Sequence, residues 1–288
     1  MAECFTRGGV AVITGGASGI GRAAARQAAR AGMRLALLDV NADKLAATAA
    51  ELADIVGNDS VITSTADVAD PMAMINLATD VESRWGAASL LMNNAAYFVA
   101  GGAGGILDPI DNWAKVFAVN VLGVVNGVQA FLPAMLASDK AGVIVNTGSK
   151  QGLTNPPGNP AYNTSKAAVN AYTQNLARDL RERDRAGGLR TAGISAHLLI
   201  PGWTTTGDAQ HRPGAWLPEQ VVLHMTQAIA ADEFFILCPD DDTPNATDHK
   251  RILWNAMDIV ENRPALSRWH PDYADEFAAF MARDLPKL

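Results

Sequence analysis

The chain has 288 residues, 49% of them hydrophobic and 18% charged, and 23 basic against 30 acidic side chains leave a formal charge of −7. Intrinsic disorder is excluded, because a chain this apolar and this long buries roughly three quarters of its unfolded surface. The acidic balance argues against generic nucleic-acid or anionic-membrane partners, whose phosphates require a basic surface.

Its two cysteines, Cys4 and Cys238, and its five histidines show no disulfide or metal-ligand spacing, so no metal is expected. The first nine residues lack an apolar signal core, and polar or glycine punctuation interrupts the apolar stretches before they reach a membrane-spanning length. A soluble, cytoplasmic protein with a small-molecule partner is the expectation.

From residue 8 to about 240, short apolar runs alternate with longer amphipathic ones, the pattern of βαβ units on a parallel sheet. Strands are expected at Val10 to Thr14, Leu35 to Asp39, Ser60 to Ala66, Leu90 to Asn93, Gly142 to Thr147, Ile194 to Ile200 and Phe234 to Cys238. Helices are expected from Ile20 to Ala31 before Gly32, from Asn41 to Val56 before Gly57, and from Pro71 to Trp85. Further helices run from Asp111 to Ala137 with a kink or break at Pro133, from Ala161 to Arg183, and from Pro218 to Ala231. Gly101 to Gly105 reads as a loop. The fold class is therefore α/β, a doubly wound seven-stranded parallel sheet over residues 1–242, followed by a helical C-terminal extension over 243–288.

Thr14 to Gly21 connects the first strand to the first helix, and Gly15, Gly19 and Gly21 let the backbone turn sharply and approach a pyrophosphate. Ser18, Gly19 and Ile20 would then present free N–H groups and a positive dipole end to phosphate. Asp39 ends the second strand eighteen residues beyond Gly21, where an acid accepts hydrogen bonds from ribose hydroxyls. Asn41 serves better as the cap of the following helix, and no Arg or Lys lies between Asp39 and Asp43 to receive a 2′-phosphate. At 4 Å and an effective dielectric near 20, Asp39 would repel that phosphate by up to ~4 kcal/mol, which favours NAD over NADP. Tyr162 and Lys166, four apart on a helix, share a face. Ser149 follows the fifth strand at its C-terminal end, the edge where open α/β sheets bind ligands, thirteen residues before Tyr162.

In these residues the chain resembles the short-chain dehydrogenase/reductase family in its single-domain form. The resemblance covers Val10 to about Cys238 and runs through Thr14 to Gly21, Asn93-Asn94-Ala95-Ala96, Asn120, Ser149, Tyr162, Lys166 and Pro201-Gly202. Ala96 stands where the family usually carries Gly, and Thr204 where Val is common. The resemblance implies a catalytic set of Asn120, Ser149, Tyr162 and Lys166, with Asn120 orienting a proton-relaying water. It also implies adenine contacts from Asp67 and Val68, a turn from Asn94 and Ala95 beside the cofactor, a nicotinamide-side wall from Pro201, Gly202 and Thr204, and a carboxamide contact from Thr206.

The chemistry expected is hydride transfer between a secondary alcohol and NAD, with Tyr162 as general acid/base, Ser149 holding the reacting oxygen and Lys166 favouring phenolate. Tyr97, Phe98, Leu153, Trp203 and Trp216 are candidate walls of a hydrophobic or aromatic substrate pocket, with core packing as the plain alternative. Lys150 is either solvated or a substrate contact. Rival readings are a non-catalytic dinucleotide-binding regulator, which loss of a catalytic group would mark, and a nucleotide-sugar epimerase or dehydratase, which usually carries G-x-x-G-x-x-G. A homodimer or homotetramer is expected from the nearly all-round apolar helix between Trp113 and Leu136. The aromatics Trp254, Trp269, Tyr273 and Phe277 leave two readings open for the tail: a cover over the cleft, or packing against the sheet edge.

Overall fold

The structure, a computed structural model, describes residues 3–98, 105–138, 140–185, 193–207 and 209–284. Seven parallel strands, β1 (Val10–Thr14), β2 (Arg34–Asp39), β3 (Val61–Thr65), β4 (Leu90–Asn93), β5 (Gly142–Thr147), β6 (Ile194–Ile200) and β7 (Phe235–Leu237), form one sheet in the order β3-β2-β1-β4-β5-β6-β7. Strands buried on both faces lose the polar/apolar alternation, which is why they read as continuous apolar runs. Four strands match their expected bounds, and the rest differ by one or two residues.

Helices α1 (Gly19–Arg30) and α2 (Ala42–Val56) cover one face, and α3 (Pro71–Trp85) the other. The α2 cap is Asn41, whose Oδ1 accepts from Lys44 N at 3.0 Å, and the α3 cap is Asp70, which accepts from Met72 N ahead of Pro71. Next come α4 (Ile110–Phe117), a π-helical turn (Ala118–Leu122) and α5 (Gly123–Ala137). The irregularity expected at Pro133 thus lies further back. Phe131 and Met135, both buried, hold the helix together on either side of the proline, whereas the π turn sets Val119 and Asn120 inward together. Among the described residues, and against the expectation that no apolar stretch reaches that length, Ile110–Ala137 is one stretch long and apolar enough to cross a membrane, with a window of mean hydropathy 1.6. Its buried positions Val124, Val128 and Phe131 pack as part of the sheet's cover.

The short α6 (Gln151–Thr154), α7 (Pro160–Arg185) and α8 (Pro218–Ala230) complete the layers, α7 beside α5 and α8 beside α1. Side chains of β1 alternate between them: Ala11 and Ile13 face α1 and α8, while Val10 and Val12 face α3 and α5. The extension forms α9 (Asn245–Val260), two short 3₁₀ turns and α10 (Ala274–Ala282). It builds a small core of its own around Trp254, which lies edge-on to Phe277 and under the Arg263 guanidinium at 3.9 Å. Trp254 Nε1 donates to Ser267 Oγ at 2.8 Å, and Ser267 Oγ donates to Asp258 at 2.5 Å. The expected loop Gly101 to Gly105 lies outside the described residues except for Gly105.

Beneath the cleft, Asn93 Nδ2 donates to Asn146 Oδ1 at 2.9 Å, and Asn146 Nδ2 donates to Thr173 Oγ1 at 3.1 Å, a buried chain linking β4, β5 and α7. A Cβ at Gly127 of α5 would run into Asn93 Oδ1. Gly→Ala inside a helix ordinarily stabilises by about 1 kcal/mol, but displacing a buried hydrogen-bonded amide costs about 1–3 kcal/mol. Gly127→Ala is therefore expected to lower the melting temperature by a few degrees; an unchanged or higher value would show that the amide chain yields freely.

Candidate active site

Thr14 ends β1, and its Oγ1 accepts hydrogen bonds from Asn94 N at 3.0 Å and Ala95 N at 3.1 Å, at the end of β4. Asn94 Nδ2 in turn donates to Thr14 O at 3.1 Å, so the first turn is fastened to the fourth. Gly15 and Gly19 have φ of +66° and +52°, the left-handed region. A Cβ at Gly15 would press on Ala95 Cα at 3.0 Å, and one at Gly21 would strike the carbonyl of Gly15. Residues 14–21 thus form a tight backbone cradle whose helix carries no acid in its first turn and whose Ser18 side chain caps no amide of its own helix. Asp39 accepts from Ala17 N at 3.1 Å and Asn41 N at 3.0 Å, which leaves its carboxylate anchored at the cleft wall.

An open cleft of about 730 Å³ runs across the C-terminal edge of the sheet. It brings together Gly15, Ser18, Gly19, Ile20, Asp39, Asp67, Val68, Asn94, Ala95, Tyr97, Phe98, Ser149, Tyr162, Lys166, Pro201, Gly202, Thr204 and Thr206. Gly21 sits behind the turn. A small-residue cradle at a free helix N-terminus, with an acid at the far end, fits a dinucleotide by shape and donor chemistry.

At the other end, the Lys166 ammonium donates to Thr147 O at 2.8 Å and lies 5.6 Å from the Tyr162 ring centroid. Burial depresses Lys166 to about 8. Burial also raises the Tyr162 phenol, a shift that a hydrogen bond from Ser149 opposes without cancelling. The Ser149 hydroxyl accepts from Gln151 N at 3.2 Å.

Asn120 is fully buried behind the wall and does not line the cleft. Its Oδ1 accepts from Tyr97 N at 2.7 Å, and its Nδ2 donates to Tyr97 O at 2.9 Å and Ser165 Oγ at 3.0 Å. Both amide hydrogens are therefore spent on holding Tyr97 and α7.

Of the candidate substrate walls, Tyr97 and Phe98 line the cleft, and Phe98 lies edge-on to Tyr162 with 6.4 Å between centroids. Leu153, Trp203 and Trp216 do not line it. Leu153 packs beside Val124 and Val169; Trp216 packs on the α1/α8 core and donates from Nε1 to Asp241 at 3.1 Å. Trp203 holds Trp216 through the backbone, accepting at 2.8 Å, and leaves its ring exposed.

Lys150 is neither solvated nor on the cleft. Its Nζ lies 2.9 Å from Asp240 Oδ2 and 2.5 Å from Asp248 Oδ2, with all three side chains largely buried. Sequence reasoning also missed Lys115, which lines the cleft with its ammonium 4.6 Å over the Tyr97 ring; a lone lysine on a helix carries no signal that would have found it. Among the described residues, none of the tail lines the cleft.

Residues 9–213 match the family profile described as short chain dehydrogenase. A 2-(R)-hydroxypropyl-CoM dehydrogenase of Xanthobacter autotrophicus is 35% identical over 81% of this chain and 92% of its own. A short chain dehydrogenase/reductase of Burkholderia phymatum, crystallised in complex with NAD, superposes with a TM-score of 0.75 at 34% identity, covering 90% of this chain and 96% of its own. A metagenomic short-chain oxidoreductase in complex with NADP gives 0.66 at 26% identity, over 81% and 97%.

Because burial outweighs the Ser149 hydrogen bond, the Tyr162 phenol of the free protein should ionise above its ordinary value near 10. The phenolate absorbance that Tyr162→Phe removes from the alkaline titration is expected to develop above pH 10; ionisation complete by pH 9 would contradict the geometry.

Proposed function

The chain belongs to the short-chain dehydrogenase/reductase family, and on that premise we propose that it is an NAD-dependent oxidoreductase interconverting a secondary alcohol and a ketone. The observation that carries this reading is the convergence, in one cleft, of the glycine turn and Asp39 at one end with Ser149, Tyr162 and Lys166 at the other. The relatives' names, which place dehydrogenase activity on hydroxyl-bearing substrates, support the same reaction class.

The amides of Gly19 and Ile20 and the Ser18 hydroxyl would hold the pyrophosphate, Asp39 the adenosine ribose, and Asp67 and Val68 the adenine. Asn94, Ala95, Pro201, Gly202, Thr204 and Thr206 would line the nicotinamide half, with Lys166 on its ribose. The nicotinamide supplies a hydride acceptor or donor when bound. Tyr162 moves the proton: in reduction its phenol, kept protonated by burial, gives a proton to the carbonyl oxygen and becomes phenolate, and in oxidation the phenolate form takes the proton from the alcohol. Ser149 donates to that oxygen as charge develops. Asn120 acts one layer back, fixing the Tyr97 backbone at the substrate end. Tyr97 and Phe98 give that end an aromatic wall, which suits an apolar or aromatic substituent.

A carboxylate fixed by two backbone amides at the ribose end is the basis for choosing NAD, since a 2′-phosphate there would face a like charge. Self-association through the α4–α5 helix belongs to the same proposal: Phe117, Val121, Leu122 and Val125 lie outside the core, and Leu122 is more than half exposed. Light scattering at micromolar concentration should report a dimer or tetramer; a monomer would refute that part.

Following NADH and NADPH absorbance across aliphatic, steroidal and aryl alcohols and ketones tests the reaction and the cofactor together. Activity on none of them, or a preference for NADPH, would refute the corresponding half. With a substrate in hand, Tyr162→Phe should cost at least ~3 kcal/mol of transition-state stabilisation while nucleotide affinity stays within a few-fold. Asp39→Ser combined with Val40→Arg should shift preference toward NADP, by removing the repelling charge and adding a phosphate partner.

A further inference from the structure

Immediately after Ser149, the chain turns into α6, and the position of that short helix is set from three sides. Against α7 it packs so closely that a Cβ at Gly152 would lie 2.6 Å from the Lys166 carbonyl carbon. Just past β6, the Pro201 carbonyl accepts from Lys150 N at 3.4 Å. The third side is the C-terminal extension. The Lys150 ammonium lies between Asp240, which follows β7, and Asp248 in the first turn of α9. Arg251 Nη1 stands 3.7 Å from the other oxygen of Asp248. Asp240 Oδ2 also accepts from Trp203 N at 3.1 Å, and a Cβ at Gly202 would meet Lys150 Nζ at 2.8 Å, so the loop after β6 closes on the same cluster. Two turns beyond Asp248 along α9, Asn255 Nδ2 donates to Leu153 O at 3.1 Å.

We propose that the C-terminal extension is a brace for the active site: through Lys150, Asp240, Asp248 and Asn255 it fixes α6, and with it Ser149, against the Tyr162 and Lys166 helix. The extension thus contributes to turnover without touching the cleft, and Lys150 and Asp248 are positioning residues. The effect on turnover rests on the reaction proposed above; the mechanical brace does not. A buried ion cluster suits this task because it is directional and intolerant of partial loss: removing one partner leaves another charge buried and uncompensated. The test that separates positioning from plain stability uses Asp248→Asn, which keeps the shape of the side chain and removes its charge.

In hydrogen exchange without any ligand, the amides of Gly152, Leu153, Thr154 and Asn155 report directly, since they donate to Ser149 O, Lys150 O and Gln151 O. Asp248→Asn should speed their exchange at least tenfold while β1 and α1 keep wild-type protection. Unchanged exchange, or a uniform increase across the chain, overturns the brace. In turnover, Asp248→Asn should lower kcat at least tenfold with nucleotide Kd unchanged. It should add less than twofold to the loss caused by Ser149→Ala, since both act through the same hydroxyl; effects that multiply overturn the coupling. If Asp248→Asn does not fold, Asn255→Ala, which removes one neutral hydrogen bond, carries the same two comparisons with the same outcomes. A wild-type protein inactive on every alcohol and ketone would refute the proposed reaction, and the exchange measurement would still decide the brace.

Discussion

Everything at the cleft depends on β1 and β4 being neighbours whose onward connections leave in opposite directions. From β1 the chain winds outward through β2 and β3; from β4 it winds the other way through β5, β6 and β7. The two connections cannot cover the gap between them, and a crevice opens there. A crevice made by divergence would be loose at its floor, and the Thr14 hydroxyl prevents that by accepting from two successive amides of the opposing turn. The buried Asn93, Asn146 and Thr173 chain extends the same rigidity beneath β5 and α7, so both ends of the cleft stand on one hydrogen-bonded floor.

That floor determines the electrostatics above it. Dryness acts on Tyr162 and Lys166 in opposite senses, raising the phenol and depressing the ammonium, so that two groups of nearly equal proton affinity in water are drawn apart. The Thr147 carbonyl takes one ammonium hydrogen, which leaves two others available to whatever occupies the cleft.

Legibility in the sequence followed the range of the interactions. Leu90 to Asn93, Gly142 to Thr147 and the Asn41 and Asp70 caps are local patterns, and each was readable. Asp39, Ser149 and Tyr162 were readable because a strand end or a helical repeat places them. Lys150 was not, since its meaning lies in carboxylates some ninety residues away that its neighbours do not announce. Trp203 and Trp216 fail as cleft walls for a related reason. The backbone pairing of Thr204 with Trp216 closes the loop on itself and turns Trp216 toward the α1/α8 core, a choice no residue type encodes. Asn120 was located, but its partners, the Tyr97 backbone and Ser165, assign it to the wall instead of the opening.

The π turn at Ala118–Leu122 carries a consequence for how this helix tolerates change. An α-helix advances about 100° per residue, and a π turn stores one residue more than the surrounding geometry requires. Deleting a single residue there would restore regular hydrogen bonding and improve the helix as a helix. It would also rotate everything from Ile110 to Phe117 by about 100° relative to Asn120, swinging Lys115 away from the Tyr97 ring and turning the buried Val116 toward water. The chain keeps a locally inferior helix because its two halves must face different neighbours. At this point substitutions are a lesser hazard than a change of one in length.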